Sequence, residues 1–199
     1  FLRKMPVAAP KVFFASSACV YPAGKSAFAE SDAIPANPSN AFAQQKLFAE
    51  WLYQAHALNY GLDVRIGRIF NCYGRHMTWT GGREKAVAAI CRKVAEATHM
   101  HGTIEVWGNG DARRSFLYVD DAIEGIRRLM KTGFTSPINI GPAKSYSIDE
   151  LVQLVAQMSG KHITFKYVDG PVGVHSICCD TTLLHQTLDW APTTTLEEG

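Results

Sequence analysis

The chain has 199 residues, of which 47% are hydrophobic and 19% charged, a composition that fits one globular unit with enough apolar mass for a core. The net charge of +2 argues against a nucleic-acid partner, and no apolar run is long enough to cross a bilayer. The five cysteines are an odd number without CxxC spacing, which predicts reduced thiols in an intracellular compartment.

The first half of the chain predicts strands that alternate with helices. Two apolar segments predict buried strands, residues 11–17 and residues 64–70. Residues 41–59 predict a helix, because Ser39 or Asn40 can cap its start and Gly61 follows its end. The loop NCYGR then follows the second strand. Open α/β sheets bind their ligands at the carboxyl ends of the strands, so this loop is a candidate binding segment.

The second half predicts shorter and more mixed elements. The predicted helices cover residues 84–97, 120–131 and 148–159, with a short one inside 183–192. The predicted strands cover residues 104–108, 115–119, 137–141 and 163–168. Ser147 and Glu150 have the spacing of a capping box for the helix that follows them. The alternation as a whole predicts an α/β fold with a doubly wound, mainly parallel sheet.

Seven segments in a fixed order carry a resemblance to a known family. They are FFASSACVYP, the helix that contains Lys46, RIGRIFNCYG, GGREKAVAAICRK, VWGNGDARRSFLYVDDA, PINIG and LDWAP. The chain resembles the extended short-chain dehydrogenase/reductases, which are NAD-dependent epimerases and dehydratases, and within them it is most similar to the GDP-mannose 3,5-epimerases. SSAC and GGREKA are the segments that favour this subgroup, because most sugar-nucleotide epimerases lack that Cys and that Lys.

The resemblance also implies a domain organisation. Residues 1–75 are expected to form the C-terminal part of a Rossmann-like NAD-binding domain. Residues 76–199 are expected to form mainly a smaller α/β lobe that binds the sugar nucleotide, with 115–141 returning to the Rossmann core. The glycine-rich turn that holds the NAD pyrophosphate in this family does not occur in the sequence. The expectation is therefore a partial Rossmann-like fold that lacks the N-terminal glycine-rich half.

In this family NAD oxidises the hexose at C4, and a Cys and a Lys then exchange the acidified protons at C3 and C5. The resemblance places the catalytic positions at Ser17, Cys19, Phe42, Lys46 and Lys85. It places the cofactor contacts at Ser16, Ser17, Lys46, Phe70 and Asn71. The substrate contacts that it implies are Asn71, Tyr73, Lys85, Lys93, Arg114 and His175. Taken singly, Cys19 would be a small core thiol and Lys85 a surface charge.

Two substitutions depart from the family pattern. Phe42 stands where the family has the Tyr that accepts the C4 hydroxyl proton, and a general base typically contributes about 10² to 10⁴ in rate. In GPVGVHSICCD, His175 and Ile177 stand where the family has two arginines suited to a diphosphate. A His carries less charge at neutral pH than an Arg, and an Ile offers no hydrogen-bond donor. Phe42 therefore predicts a slower reaction, and His175 and Ile177 predict weaker binding of the diphosphate.

Two hypotheses follow. The first is a degenerate GDP-mannose 3,5-epimerase-like pseudoenzyme, an accessory subunit of a larger protein complex that is possibly mitochondrial. The alternative is an active NAD-dependent epimerase, seen as a truncated chain or a Tyr-to-Phe variant and cytoplasmic like ordinary family members. The first predicts no NAD in the isolated chain and another polypeptide over the open sheet edge. The second predicts NAD once the missing half is supplied, and a GDP-sugar substrate.

A metal site is not expected. His99, His101 and the Cys178–Cys179 pair lack the spacing of a known site.

Overall fold

Parallel strand pairing dominates the chain, as the alternation of strands and helices in the sequence predicts. The computed structural model describes residues 10–34, 40–97, 101–170 and 173–199. Within them the helices are α1 (Ala41–Tyr60), α2 (Ala86–Glu96), α3 (Val119–Lys131), α4 (Ile148–Ser159) and α5 (Thr182–Leu188). The longer strands are β1 (Val12–Ser17), β3 (Val64–Ile69), β5 (His101–Trp107), β8 (Ile138–Ile140), β10 (His162–Val168) and β11 (Ser176–Cys179). The two-residue strands are β2 (Ala27–Phe28), β4 (Cys72–Tyr73), β6 (Arg113–Arg114), β7 (Leu117–Tyr118) and β9 (Tyr146–Ser147).

Among the described residues the strands form a three-stranded central sheet and three further sheets. β1, β3 and β8 lie side by side in that order and are all parallel, with Val12 opposite Val64 and Gly67 opposite Ile138. β5 pairs with β10, β4 pairs with β7, and a four-stranded sheet has the order β2-β11-β6-β9. Only the β6–β9 pair is antiparallel among the described strands. The predicted α/β class with a mainly parallel sheet is therefore confirmed.

Helix α1 begins at the predicted residue and ends one residue later than predicted, at Tyr60. The Asn40 side chain accepts a hydrogen bond from the backbone N–H of Ala43 at 2.8 Å, and Gly61 ends the helix with φ +66°. That left-handed conformation is one that Gly adopts without steric cost. Ser39, the other candidate cap, lies outside the described residues. A cap of this kind fixes where the helix starts, and therefore where Phe42 and Lys46 lie.

Three apolar clusters form the core. The first lies beneath α1 and contains Val20, Tyr21, Phe28, Leu47 and Phe70. The second lies between α3, α5 and the central sheet and contains Leu117, Leu129, Ile138, Ile140 and Leu184. The third joins α2, α4 and β5 and contains Ile90, Val94, Ile104, Val106 and Leu151. The burial of one such side chain typically contributes about 1.5–3 kcal/mol.

A strand forms within residues 11–17 as predicted, but the prediction that it is buried is wrong. β1 has the predicted position, but Val12, Phe13 and Phe14 are half-buried and Ala15 is exposed. The cause is its place in the sheet, because β1 is the last strand on its side among the described residues. An apolar sequence that would be covered on both sides in a central strand is here open along one edge.

The described residues bear on two exclusions made from the sequence, a membrane-spanning helix and a metal site. None of the helices in that part of the chain has the length and apolarity needed to span a membrane. The same residues contain no group of three or more His, Cys, Asp or Glu side chains arranged to hold a metal ion. His99 lies outside the described residues.

Candidate functional site

The candidate site begins at the carboxyl end of β1. Ser16 and Ser17 end the strand, and a 3-10 turn from Ala18 to Val20 follows directly. The Ser17 hydroxyl accepts a hydrogen bond from the backbone N–H of Cys19 at 3.3 Å. This side-chain cap fixes the turn, so the thiol lies next to the end of the central sheet, the edge at which parallel sheets bind ligands.

Phe42 and Lys46 lie one helical turn apart on α1 and face each other. The Lys46 Nζ atom lies 5.6 Å from the centre of the Phe42 ring and 5.2 Å from that of Phe14. The same Nζ donates a hydrogen bond of 2.8 Å to the backbone oxygen of Ala15. Phe42 is 54% exposed. An ammonium group over aromatic faces is a cation–π contact, so the pair forms a stable structural contact that contains no phenol oxygen.

The thiol of Cys19 is half-buried, and its ionisation reflects that position. Burial raises the pKa of Cys19, while its hydrogen bonds and the charges of Lys46 and Lys85 lower it. The effect of burial is the strongest, so the pKa of Cys19 lies above its ordinary value and the group is a thiol at neutral pH. The two lysines are close enough to act on it electrostatically. The structure therefore brings Cys19, Lys46 and Lys85 into one region, as the family pattern predicts for its site.

A buried polar network fixes α1 on the sheet directly below this region. Glu50 lies one turn after Lys46 and accepts hydrogen bonds from Arg68 at 2.7 and 3.0 Å. The Ser16 hydroxyl donates to the same carboxylate. Arg68 also donates to the hydroxyl of Tyr21 at 3.2 Å, and that hydroxyl donates to the side chain of Asn139. All five side chains are buried. Burial raises the pKa of Tyr21, so its hydroxyl stays protonated.

Sequence reasoning did not identify this network as part of the site. The available signal was an acidic residue four positions after Lys46, on the same face of a helix, and an arginine inside an apolar strand. Charged residues are rarely buried unless they are paired. These positions indicate that Glu50 is paired, but the same strand also contains Arg65, so the sequence does not identify which arginine pairs with it.

Two of the five predicted cofactor contacts have buried side chains. Ser16 is buried and donates to Glu50, and Phe70 is fully buried. The Asn71 amide donates to the backbone oxygen of Ser115 at 3.0 Å. Ser17, Lys46 and Asn71 are the predicted contacts that remain partly accessible.

A cavity of about 530 Å³ lies beside this region, between α2, the NCYGR loop and the strands β5 and β6. Its apolar walls include Ile90, Val106, Phe116 and Ile148, and Trp107 also lines it. Five of the six predicted substrate contacts line the cavity, namely Asn71, Tyr73, Lys85, Lys93 and Arg114. The volume and the mainly apolar lining are typical of a small-molecule site.

The cations of this cavity are largely bonded to the protein itself. Lys93 donates to the backbone oxygen of Glu105 at 2.8 Å. Arg114 donates to the backbone oxygens of Val174 at 2.5 Å and His175 at 3.0 Å. Among the described residues, the Lys85 ammonium makes no hydrogen bond or ion pair. Lys85 directly precedes α2.

The segment that departs from the family pattern is integrated into the fold. The His175 Nε2 atom lies 3.1 Å from the Asp111 carboxylate on the surface. Ile177 packs against the apolar cluster beneath α1. His175 is not among the residues that line the cavity. Neither position offers the cavity a donor of the kind that two arginines would provide.

The model of the NAD dependent epimerase/dehydratase family matches residues 1–141. GDP-mannose 3,5-epimerase of Arabidopsis thaliana is 40% identical over 195 residues, which are 95% of this chain and 51% of that protein. GDP-mannose 3,5-epimerase 1 of Oryza sativa subsp. japonica is 39% identical over 194 residues, 95% of this chain and 50% of that protein. The chain thus spans about half the length of the curated relatives it matches.

A solved structure gives the same fold. UDP-glucuronic acid 4-epimerase of Bacillus cereus, in complex with UDP-glucuronic acid and NAD, superposes with a TM-score of 0.84. The match covers 98% of this chain and 60% of that one at 23% identity. At this identity the likeness concerns the Rossmann-like architecture alone.

Proposed function

The chain belongs to the NAD dependent epimerase/dehydratase family, and from this membership we propose that it is a non-catalytic, GDP-mannose 3,5-epimerase-like subunit of a larger assembly. The proposal has two parts, the loss of the reaction and the use of the fold as a docking element. Each part has its own support in the described residues.

The observation that carries the loss of the reaction is Phe42. Its ring lies against the Lys46 ammonium, where the family has the phenol that accepts the C4 hydroxyl proton. The nearby polar groups do not replace that phenol. The Ser17 hydroxyl caps a turn, the Tyr21 hydroxyl is buried in the network, and burial raises the pKa of Cys19. Without oxidation at C4, the protons at C3 and C5 never become acidic.

The phosphate side of the site supports the same conclusion. Ile177 fills core space, His175 pairs with Asp111 on the surface, and Arg114 donates to backbone oxygens. A nucleoside diphosphate requires cations that are free to make charge-assisted hydrogen bonds. We therefore also propose that the isolated chain binds neither NAD nor GDP-mannose.

The docking element is the outer face of α1, which we define as Phe48, Trp51, Leu52 and Leu58. These side chains are all exposed. The only charged residues of α1 are Lys46 and Glu50, and both contact β1. Contiguous exposed apolar side chains of this kind often mark a site of protein–protein contact. We propose that another polypeptide covers this face and the open edge of β1, in a mitochondrial complex.

The alternative is an active NAD-dependent GDP-mannose 3,5-epimerase. It is favoured by one observation, the proximity of Lys85 to Cys19, because the resemblance assigns the acid and base groups of that reaction to these two positions. In that case NAD would be bound together with further polypeptide.

The test is proton exchange. GDP-mannose and NAD are incubated with the protein in deuterated water, and deuterium at C3 and C5 is measured by mass spectrometry. We expect no exchange with the unmodified protein and none with Phe42→Tyr. Phe48→Tyr is the matched control, because it adds the same hydroxyl to the same helix away from Lys46. Exchange by the unmodified protein, or by Phe42→Tyr and not by Phe48→Tyr, would refute the loss of the reaction.

A further inference from the structure

Two histidine rings lie against each other on the surface, at the start of the sheet that β5 and β10 form. His101 and His162 are directly opposite in the register of these parallel strands, and both residues are exposed. Their ring centres are 5.3 Å apart, and the ring planes differ by 18°. Neither residue lines the cavity between α2 and the NCYGR loop, so the pair is independent of the function proposed above.

This contact arises from strand pairing and is not visible in the sequence. His101 begins β5 and His162 begins β10, and the helices α3 and α4 lie between these strands in the chain. Because the strands are parallel and pair from these first residues to Trp107 and Val168, their two starts are neighbours. The spacing of the histidines in the sequence predicted no metal site, since the partner of His101 lies on another strand.

The packing of the core fixes the register that brings the rings together. Ile104 and Val106 belong to the cluster that joins α2, α4 and β5, and they are 2% and 3% exposed. Side chains alternate between the two faces of a strand, so His101 and Glu105 lie on the outer face. On that face Glu105 pairs with Lys166, its partner in the register, at 3.2 Å. A slip of one residue would turn the buried side chains of the strand outward, so the two imidazoles stay side by side.

Both imidazoles keep their nitrogens available. Within the described part of the chain, neither ring makes a hydrogen bond or an ion pair. Lys161, which directly precedes the second histidine, donates to three backbone oxygens near the end of α2 at 2.7, 2.9 and 2.9 Å. Its ammonium is therefore held at α2. A nitrogen of each ring can bind a ligand without breaking an existing hydrogen bond.

Two imidazoles in this arrangement can bind one metal ion. Imidazole nitrogen is a preferred ligand of several transition metals, and metal–nitrogen distances of about 2.0–2.1 Å place two such nitrogens on one ion about 3 Å apart. Neighbouring strands lie about 4.8 Å apart. Because both side chains are exposed, rotation about their side-chain bonds can turn the stacked rings until one nitrogen of each faces the same ion.

We propose that His101 and His162 together bind one divalent transition-metal ion of the class that prefers imidazole, which includes Cu²⁺, Ni²⁺ and Zn²⁺. Two protein ligands leave the other coordination positions to water. The ion therefore exchanges with solvent and differs from a structural ion in a closed site of four ligands. The described residues contain no group of three or more metal-ligating His, Cys, Asp or Glu side chains, which agrees with an open site of this kind.

The experiment is calorimetric titration of the full chain with Ni²⁺, which does not oxidise free thiols. His101→Gln and His162→Gln should each weaken the affinity by about tenfold or more. The double variant should bind within about threefold of either single variant, because one histidine holds the ion well only while the other also binds it. Losses that add up in the double variant, or a single variant without loss, overturn the proposal.

Three further variants exclude other ligands. His56→Gln removes an exposed imidazole on α1, and Cys91→Ser removes an exposed thiol, so both should retain the affinity of the unmodified protein. His99 lies outside the described residues, and His99→Gln should also retain it. A loss in His99→Gln without a loss in His162→Gln would mean that one strand alone holds the ion, which refutes the cross-strand pair. Circular dichroism checks that every variant folds.

Discussion

The buried pair of Glu50 and Arg68 allows the strongest prediction about stability. Their side chains are 1% and 4% exposed, and Arg68 makes three hydrogen bonds to the carboxylate, including one of 2.7 Å. Glu50→Gln keeps the size of the side chain and removes its charge, which leaves the Arg68 guanidinium buried without a counter-ion. The loss of one partner of such a pair typically costs about 3–5 kcal/mol. Because the amide oxygen can still accept one hydrogen bond, we expect a loss of about 3 kcal/mol.

The assay is urea denaturation followed by circular dichroism, and the chain provides a matched control. Glu105 pairs with Lys166 at 3.2 Å, but these side chains are 55% and 63% exposed. Glu105→Gln should therefore cost less than about 1 kcal/mol, since exposed ion pairs contribute little. If the two variants lose stability within about 0.5 kcal/mol of each other, burial does not determine the strength of the network and the reasoning fails.

Three more predictions follow from local contacts. Ser147→Ala removes the hydroxyl that accepts an N–H of the first turn of α4 at 3.0 Å, and should lower the free energy of unfolding by about 1 kcal/mol in urea. Lys85→Met removes a charge that lowers the pKa of Cys19, so the pKa of Cys19 should rise. Iodoacetamide should then label this thiol more slowly at fixed pH, as measured by mass spectrometry. Unchanged labelling would contradict this. Leu52→Lys on the outer face of α1 should change stability by less than about 0.5 kcal/mol and prevent a partner from co-purifying, and a retained partner would refute the docking face.

The sequence predicts the longer elements well because their signals are local. The α4 capping box forms as its spacing predicts, with hydrogen bonds between Ser147 and Glu150 in both directions. Helix α1 begins after Asn40 and ends before Gly61, again as predicted. Each of these signals depends on side chains that contact backbone within one helical turn.

The short strands are missed because their signals are not local. β2 and β4 contain two residues each and exist only through pairing with β11 and β7. Such pairing joins segments far apart in sequence, so neither propensity nor periodicity reveals it. β11 itself was not predicted, although Cys178 and Cys179 are both buried in it. The exposure of β1 was missed for the same reason, because the burial of a strand depends on the strands that pair with it.

For the site, the motifs predict positions but not the direction of side chains. Lys93, Arg114 and Lys85 all line the cavity, as the resemblance implies for substrate contacts. Two of them nevertheless bind backbone oxygens of Glu105, Val174 and His175. A motif cannot distinguish an arginine that holds a loop from one that holds a phosphate, because both uses need the same residue at the same position.

This distinction changes how the surviving motif residues should be interpreted. Lys46 binds the Ala15 backbone oxygen and lies over two aromatic rings, while Glu50, one turn later, binds Ser16, the next residue of the same strand. Consecutive residues of β1 are thus anchored by consecutive turns of α1. Lys46 is therefore explained by packing alone, and its presence does not indicate that the reaction persists. Lys85, by contrast, is exposed and directly precedes α2, so packing does not account for it in the same way.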